Sequence, residues 1–327
     1  MSVVLPPRVA RGATVGIVAP AGPVRQIRLD RGLARFGDAF TWKLAPSLVS
    51  PPDSRRAVAG PAREEGLQSY LSGSDEQRAE ELTAMLRDPD VRAIILARGG
   101  YGIMRILPML DPAVLRADPK PIVGFSDATA LLSWAHLAGV RSIHGPVVAQ
   151  MSDLGDNDIR TLIALLTDPA PPGVRPWQLT SHSHGSGGRV QGPLIPANLT
   201  LAAVLLGTPW ALPLAGSIAL FEEVGERPYE LDRYFTQLSL AGALAEAQAL
   251  VLGDLTRCED MNPSTGERDP PDAALQVVIE RMRNVGRPLV VGAPVGHAAR
   301  NEPLPFGAPA ELDLDHATIA ILEGAVS

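Results

Sequence analysis

Short apolar runs alternate with helical patterns through the first half of this chain, and this alternation constrains the fold more than any other feature. Residues 14–20 (TVGIVAP) and 91–97 (VRAIILA) are short runs of mainly apolar residues, which are typical of strands buried on both faces. Between them, Ser74 and Gln77 form a capping-box pattern that predicts the start of a helix. A third run, 121–126 (PIVGFS), leads directly into a helical pattern. Strands that alternate with helices predict a parallel α/β fold.

The second half of the chain follows a segment rich in proline, glycine and serine, residues 169–188. Such composition is typical of a linker between domains. We therefore predict an N-terminal α/β domain over residues 1–165, a linker over 166–190 and a C-terminal domain over 191–327. The C-terminal part carries further strand and helix patterns, so a mixed α/β domain is expected there.

Composition argues against several classes of function. The 327 residues are 46% apolar and 20% charged, which is typical of globular domains. The net charge of −7, with acidic and basic residues interspersed, argues against a nucleic-acid partner. No apolar run suits a signal peptide or a membrane span, so we expect a cytoplasmic protein with no membrane contact. The single cysteine, Cys258, excludes an internal disulfide and agrees with a reducing compartment.

Ser126 lies in the pentapeptide Gly124-Phe125-Ser126-Asp127-Ala128, at the corner between a predicted strand and a predicted helix. The pentapeptide is close to the G-x-S-x-G elbow that presents a nucleophilic serine, with alanine in place of the last glycine. Backbone N–H groups at the start of the following helix would favour a developing oxyanion beside the serine. The alternative is that Ser126 only caps that helix, because serine is a common N-cap residue.

A glycine run, Gly99-Gly100-Tyr101-Gly102, follows the strand pattern at 91–97. Glycine leaves backbone N–H groups unshielded, so this run could supply a second oxyanion donor or allow close approach of a substrate. The alternative is a plain turn. Neither the dinucleotide fingerprint nor the P-loop pattern is present, so no nucleotide cofactor is expected.

Histidines and paired glutamates supply candidates for proton transfer. His297 ends an apolar strand pattern, where catalytic groups of α/β sheets gather. His144 also ends a predicted strand and is the competing candidate base, although a structural role suits it better. Glu222 and Glu223 end another strand, and alternation along a strand predicts that only one of them can hold the imidazole. The histidines show no zinc-binding pattern, so no metal is expected.

Taken together, these segments resemble the LD-carboxypeptidases, a serine peptidase family that includes the murein tetrapeptide carboxypeptidases and the microcin C immunity proteins. The resemblance spans nearly the whole chain. It is carried, in chain order, by GIVAPAGP, ILARGGYGIMRILPMLD, IVGFSDATALL, HGPV, LFEEVGERPYELDRYFTQL, VLGDLTRCE and PVGHAARNEPLPFGAPAELD. It implies a glutamine-amidotransferase-like N-terminal domain that carries the nucleophile and a C-terminal mixed α/β domain that carries the acid and the base.

The resemblance also implies roles for particular residues. It puts the nucleophile at Ser126, the acid at the first glutamate of FEEV, Glu222, and the general base at His297. The backbone N–H groups of Gly100 and Asp127 would form the oxyanion hole. No cofactor is implied.

Two positions depart from the family pattern. Pro196-Ala197 stands where the family commonly has two glycines, a change that could alter the cleft wall and the substrate preference. Ala298 follows the base histidine, where the family often has glycine, and this change leaves the triad intact.

The activity that the resemblance implies is release of D-alanine from a murein tetrapeptide in peptidoglycan recycling, by a homodimeric enzyme. The carboxylate of such a substrate needs a cationic partner, for which Arg98, Arg233 and Arg300 are candidates, and Tyr101 is a further candidate for substrate binding. One rival interpretation is microcin-immunity-like cleavage of an aminoacyl-nucleotide analogue, with Trp177 as the aromatic surface for the base. A second rival is a non-catalytic peptide-binding protein.

Overall fold

The computed structural model describes residues 3–49, 69–182, 187–261 and 266–327. The chain forms two compact units, which we call the first unit and the second unit. The first unit comprises Met1–Ala170, Glu302–Phe306 and Gly324–Ser327, and the second comprises Pro171–Asn301 and Gly307–Glu323. The passage from the first unit to the second, between Ala170 and Pro171, falls inside the segment 166–190.

Strands and helices are numbered here in chain order within the described residues. The strands are β1 (Thr14–Val18), β2 (Thr41–Leu44), β3 (Val91–Leu96), β4 (Ile122–Gly124), β5 (Ser142–His144), β6 (Gly173–Val174), β7 (Thr180–Ser181), β8 (Arg189–Asn198), β9 (Ile218–Val224), β10 (Ala249–Thr256), β11 (Leu289–Val291), β12 (Leu304–Phe306), β13 (Pro309–Asp313) and β14 (Thr318–Ile321).

The α-helices of the described residues are numbered in the same way. They are α1 (Gln26–Ala34), α2 (Asp75–Arg87), α3 (Ile103–Ile106), α4 (Pro112–Ala117), α5 (Thr129–Leu137), α6 (Val148–Met151), α7 (Asp156–Thr167), α8 (Leu199–Val204), α9 (Pro228–Leu240), α10 (Ala243–Glu246) and α11 (Ala273–Val285). Within the described ranges, no helix combines the length and the apolar character that crossing a membrane requires.

The sheet of the first unit has the strand order β12-β5-β4-β3-β1-β2. Every neighbouring pair is parallel except β12 with β5, which confirms the expected parallel α/β architecture. β1 and β3 are buried along almost their whole length, and this double-sided burial explains their continuous apolar sequences. Because β3 and β4 are parallel neighbours, the turns that follow them lie at the same edge of the sheet. Gly99 and Ser126 belong to these two turns.

Helix α2 begins where the sequence pattern predicts. The hydroxyl oxygen of Ser74 accepts a hydrogen bond from the backbone N–H of Gln77 at 3.2 Å, which satisfies one of the free donors of the first turn. The buried face of the helix includes the three apolar residues that the spacing selects, Ala79, Leu82 and Leu86.

The sheet of the second unit has the order β6-β14-β13-β8-β9-β10-β11-β7. The four central strands, β8 to β11, are parallel, and the outer pairs are antiparallel, so this unit is a mixed α/β domain as expected. The segment 166–190 contributes the short edge strands β6 and β7 to it. In the parallel register, Asn198 at the end of β8 is the partner of Glu222 on β9.

Pro196 and Ala197 lie within β8, where they pair with Leu220 and Phe221 of β9. Proline cannot donate a ladder hydrogen bond, so it is tolerated in a strand only where that donor is not needed. On its other side, β8 pairs with β13 over 189–193, before the proline is reached. Pro196 therefore lies beyond the part of β8 that pairs with β13.

Candidate active site

Ser126 lies two residues after the end of β4 and adopts a left-handed backbone conformation, with a φ of 63°. A positive φ is unfavourable for a residue with a side chain, and such strain is typical of the serine in a nucleophile elbow. Residues Ser126–Ala128 form a 3₁₀ turn, and α5 begins only at Thr129. The N-cap of α5 is Ala128, so the alternative that Ser126 caps this helix is wrong.

Small residues on both sides of Ser126 allow this sharp turn. A Cβ atom on Gly124 would lie 2.7 Å from the Cβ of Ala128, closer than carbon atoms can approach. A Cβ on Gly99 would lie 3.0 Å from the Cβ and 3.2 Å from the Oγ of Ser126. Glycine is thus required at Gly124, inside the turn, and at Gly99, where a neighbouring segment packs against Ser126.

The glycine run beside this turn also needs its glycines. Gly100 and Gly102 have φ values of 119° and 127°, a region that residues with side chains rarely adopt. The carbonyl of Gly99 accepts a hydrogen bond from the N–H of Gly22 at 3.2 Å. We call residues 99–102 the glycine loop.

Asp127 is buried, with 2% of its surface exposed. Its Oδ2 atom accepts a hydrogen bond from the backbone N–H of Ile103, directly after the glycine loop, at 2.9 Å. Burial raises the pKa of this carboxyl to about 6, while the N–H of Ile103 and the charge of Arg78 act in the opposite direction. The sequence argument used only the backbone N–H of Asp127 and did not anticipate this role for its side chain.

In the second unit, the Nδ1 atom of His297 lies 2.6 Å from Oε2 of Glu222. The Glu222 side chain is fully buried, whereas 20% of the His297 side chain is exposed. Gly296 precedes the histidine with a φ of 141°, and a Cβ there would lie 2.8 Å from the Cβ of Asp254. The backbone N–H of Ala298, on the other side of the histidine, donates to Oδ2 of Asp254 at 3.3 Å.

Asn198 is a member of this cluster that the sequence reasoning missed. Its side-chain Nδ2 lies 3.2 Å from Oε1 of Glu222 and 3.0 Å from Oε1 of Glu223. Burial raises the pKa of Glu222, and the hydrogen bonds with His297 and Asn198 lower it. The only local signal for Asn198 was its place between a strand and a helix, because its pairing with Glu222 depends on the parallel register of β8 and β9.

Glu223 shares the contact with Asn198 but also has partners of its own. Its Oε2 accepts hydrogen bonds from the backbone N–H and the hydroxyl of Thr200, each at 2.8 Å, at the start of α8. Of the two adjacent glutamates, Glu222 is therefore the one that contacts the imidazole, while Glu223 holds the first turn of a helix. Both are buried, in contrast to the usual exposure of acidic pairs at strand ends.

His144, the competing candidate base, has no exposed surface and lies in β5, where its ring packs edge-on against Phe125 with centroids 6.1 Å apart. This burial agrees with a structural role. Trp177 is only 9% exposed, so it offers little of the open aromatic surface that the microcin-type interpretation assigned to it.

The candidate substrate-binding residues lie in both units. In the first, Arg98 is exposed and donates to the carbonyl of Pro23 at 2.8 Å, and Tyr101, 49% exposed, packs edge-on against Tyr70 with ring centroids 5.7 Å apart. In the second, the Arg233 guanidinium lies 5.4 Å from the ring centroid of Tyr229. Arg300 is half-buried.

Across the described residues, no group of three or more histidine, cysteine, aspartate or glutamate side chains is placed to hold a metal ion.

Comparison with known proteins agrees with this two-unit organisation. Residues 15–145 match the model of the LD-carboxypeptidase N-terminal domain, peptidase S66, and residues 191–312 match the corresponding C-terminal domain. A Streptomyces coelicolor protein, named provisionally as a carboxypeptidase, is 36% identical over 97% of this chain and 96% of its own length. The murein tetrapeptide carboxypeptidase of Pseudomonas aeruginosa is 34% identical over 75% of this chain and 80% of its own.

Among solved structures, the microcin C7 self-immunity protein MccF in complex with aspartyl sulfamoyl adenosine has a similar fold. The two chains superpose with a TM-score of 0.80 over 99% of this chain and 100% of that one, at 22% identity. At that identity the likeness concerns the fold alone.

The chain belongs to the LD-carboxypeptidase family, peptidase S66. The family and the names of its relatives support a hydrolase with carboxypeptidase activity.

Proposed function

We propose that this protein is a serine carboxypeptidase that releases D-alanine from murein tetrapeptides, with Ser126 as nucleophile, His297 as general base and Glu222 as the residue that orients the base. The observation that carries the proposal is the contact between the buried Glu222 and His297, in a chain that is 34% identical to a murein tetrapeptide carboxypeptidase. The left-handed backbone of Ser126 supports the same assignment.

The contact with Glu222 supports one tautomer of the imidazole in the proposed mechanism. A carboxylate is an acceptor, so Nδ1 of His297 carries the proton and Nε2 keeps a lone pair. In the proposed first step, Nε2 takes the proton of the Ser126 hydroxyl while Oγ attacks the carbonyl carbon of the scissile amide. The N–H groups of Gly100 and Asp127 would stabilise the negative charge that develops on the carbonyl oxygen.

The tetrahedral intermediate then collapses. The C–N bond breaks, and the proton on Nε2 passes to the leaving amine of D-alanine, which leaves an acyl group on Ser126. A water molecule gives its proton to His297 and attacks the acyl carbon, and return of that proton to Oγ restores the serine. Glu222 stabilises the imidazolium in both halves of the cycle.

The first experiment is mass spectrometry of a murein tetrapeptide incubated with the wild type, with Ser126→Ala and with Ser152→Ala as a matched serine control. We expect tripeptide and free D-alanine from the wild type and from Ser152→Ala, and none from Ser126→Ala. A fluorophosphonate probe should label the same two proteins. Probe labelling without D-alanine release would reject the substrate, and absence of labelling in a folded wild type would favour a non-catalytic peptide-binding protein.

A second candidate function is hydrolysis of an aminoacyl-nucleotide analogue. The half-exposed pair formed by Tyr70 and Tyr101 favours it, because a nucleobase could stack on an aromatic surface beside the glycine loop. Incubation of the protein with aspartyl sulfamoyl adenosine tests this second candidate function. Cleavage that depends on Ser126 and weakens in Tyr101→Ala would move it to first place.

We also propose that the protein is a cytoplasmic homodimer, because the family resemblance implies one. Size-exclusion chromatography with light scattering would give the mass of the particle in solution. A mass of one chain at micromolar concentration would reject the dimer.

A further inference from the structure

Asp127 connects two backbone segments in the first unit. It follows Ser126 directly, and its own N–H is one of the two proposed oxyanion donors. Its carboxylate accepts from the N–H of Ile103, the first residue of α3, which directly follows the glycine loop. The other proposed donor, Gly100, belongs to that loop.

Arg78 holds the same loop from a different direction. Its guanidinium is buried and donates to the carbonyl of Gly102 at 3.0 Å, to the carbonyl of Pro20 and to the carbonyl of Gly73 at 3.3 Å. Asp75 pairs with this guanidinium. Together with the hydrogen bond from Gly22 to Gly99, these contacts fix the loop at both of its ends.

The contacts of Asp127 leave its carboxylate little freedom. It is buried, and the donor that it faces is a backbone N–H whose position is set by the loop and α3. A shift of the loop would therefore move Gly100 relative to the N–H of Asp127. Displacements of about 1 Å in catalytic groups can cost about 100-fold in rate, so this spacing matters for catalysis.

We propose that the side chain of Asp127 is a positioning residue, whose hydrogen bond to the N–H of Ile103 sets the separation of the Gly100 and Asp127 backbone donors. This inference rests on the proposed function, because it takes these two groups as the oxyanion hole. Its chemical requirement is an acceptor at Oδ2 and not a negative charge.

The test compares three variants in the D-alanine release assay. Asp127→Ala removes the acceptor, and we expect kcat to fall about 100-fold with KM changed less than about 3-fold. Asp127→Asn keeps an oxygen that can accept from Ile103, so it should recover at least about 10-fold of that loss. Asp127→Leu keeps the branched shape without an acceptor and leaves no cavity, so it should behave like Asp127→Ala if the lost acceptor and not an empty cavity causes the loss.

A matched control separates positioning from general helix capping. Asp111 accepts from the backbone N–H of Ala113 at 2.8 Å at the start of α4, so Asp111→Ala loses the same kind of bond outside the glycine loop. We expect its kcat to stay near the wild-type value.

The outcomes are distinguishable from failure of the proposed function. If the wild type releases no D-alanine, the proposed function fails before any variant is compared. If the wild type is active but Asp127→Asn is as impaired as Asp127→Ala, charge and not positioning is what matters, and the inference is wrong. Full activity in Asp127→Ala would overturn it as well.

Discussion

The imidazole of His297 contacts Glu222 through Nδ1, across 2.6 Å, while the neighbouring Glu223 binds the first turn of α8. Of two adjacent acids in the same strand, one thus contacts the imidazole and the other contacts the start of a helix. This division provides a direct comparison, because the same isosteric change can be made in both.

Glu222→Gln should lower kcat at least about 1,000-fold, because an amide can donate to Nδ1 and favour the tautomer in which Nε2 is protonated. Glu223→Gln should lower kcat less than about 10-fold, since it does not contact the imidazole. Steady-state kinetics on a murein tetrapeptide would measure both. Equal losses in the two variants would contradict the assigned roles.

Gly99→Ala should reduce kcat/KM by about 30-fold or more, because the added methyl group would lie 3.0 Å from the Cβ of Ser126. Gly155→Ala is the control, since a Cβ there meets nothing within 4 Å. The measurement is the rate of fluorophosphonate labelling together with turnover. Unchanged labelling of Gly99→Ala would show that the serine turn accommodates the methyl group.

Asp127→Asn should stabilise the protein more at neutral pH than in acid. The pKa of Asp127 rises from 3.8 to about 6 on folding, so the folded state binds the proton more tightly and wild-type stability falls as pH rises through this interval. The free energy of unfolding of the variant, relative to the wild type, should therefore increase by about 2 kcal/mol between pH 4 and pH 7. Urea unfolding at several pH values would measure it, and parallel curves for the two proteins would contradict the assignment.

Gly32→Ala should lower the free energy of unfolding of the first unit by at least about 1–3 kcal/mol, because overpacking forces neighbouring groups to move. A Cβ on Gly32, in α1, would lie 2.0 Å from the carbonyl oxygen of Val148 at the start of α6. Gly155→Ala again serves as control: Gly155 is the N-cap of α7, where alanine in place of glycine should cost no more than about 1 kcal/mol, without any steric overlap. Thermal unfolding would measure both variants. If Gly32→Ala is no less stable than the control, the contact between α1 and α6 relaxes to accept the methyl group.

The sequence was most informative where structure depends on local pattern. β1 and β3 were predictable because strands buried on both faces are continuous apolar runs, and α2 because Ser74 caps it. β12 was not predicted, since three residues that include Pro305 carry no strand pattern of their own. They form a strand because they pair with β5, from a distant part of the chain.

The residues of the candidate site also differ in whether the local sequence predicts them. Ser126 and the glycine loop were found from motifs of consecutive residues. Asn198 and the carboxylate of Asp127 were missed, because each acts on a residue of another segment. The choice of Glu222 over Glu223 came from family resemblance, and the packing of side chains around His297 supplies its physical basis.

The place of β12 also bears on how the protein is made. The first unit takes its sixth strand from residues 304–306, after the chain has passed through most of the second unit. A ribosome adds residues one at a time, so the edge of β5 stays without its partner until translation is nearly finished. Unpaired strand edges attract other chains. The edge of β5 therefore stays open while residues 145–303 are added, about half of the synthesis, and this is the period in which a chaperone that covers such edges would matter most.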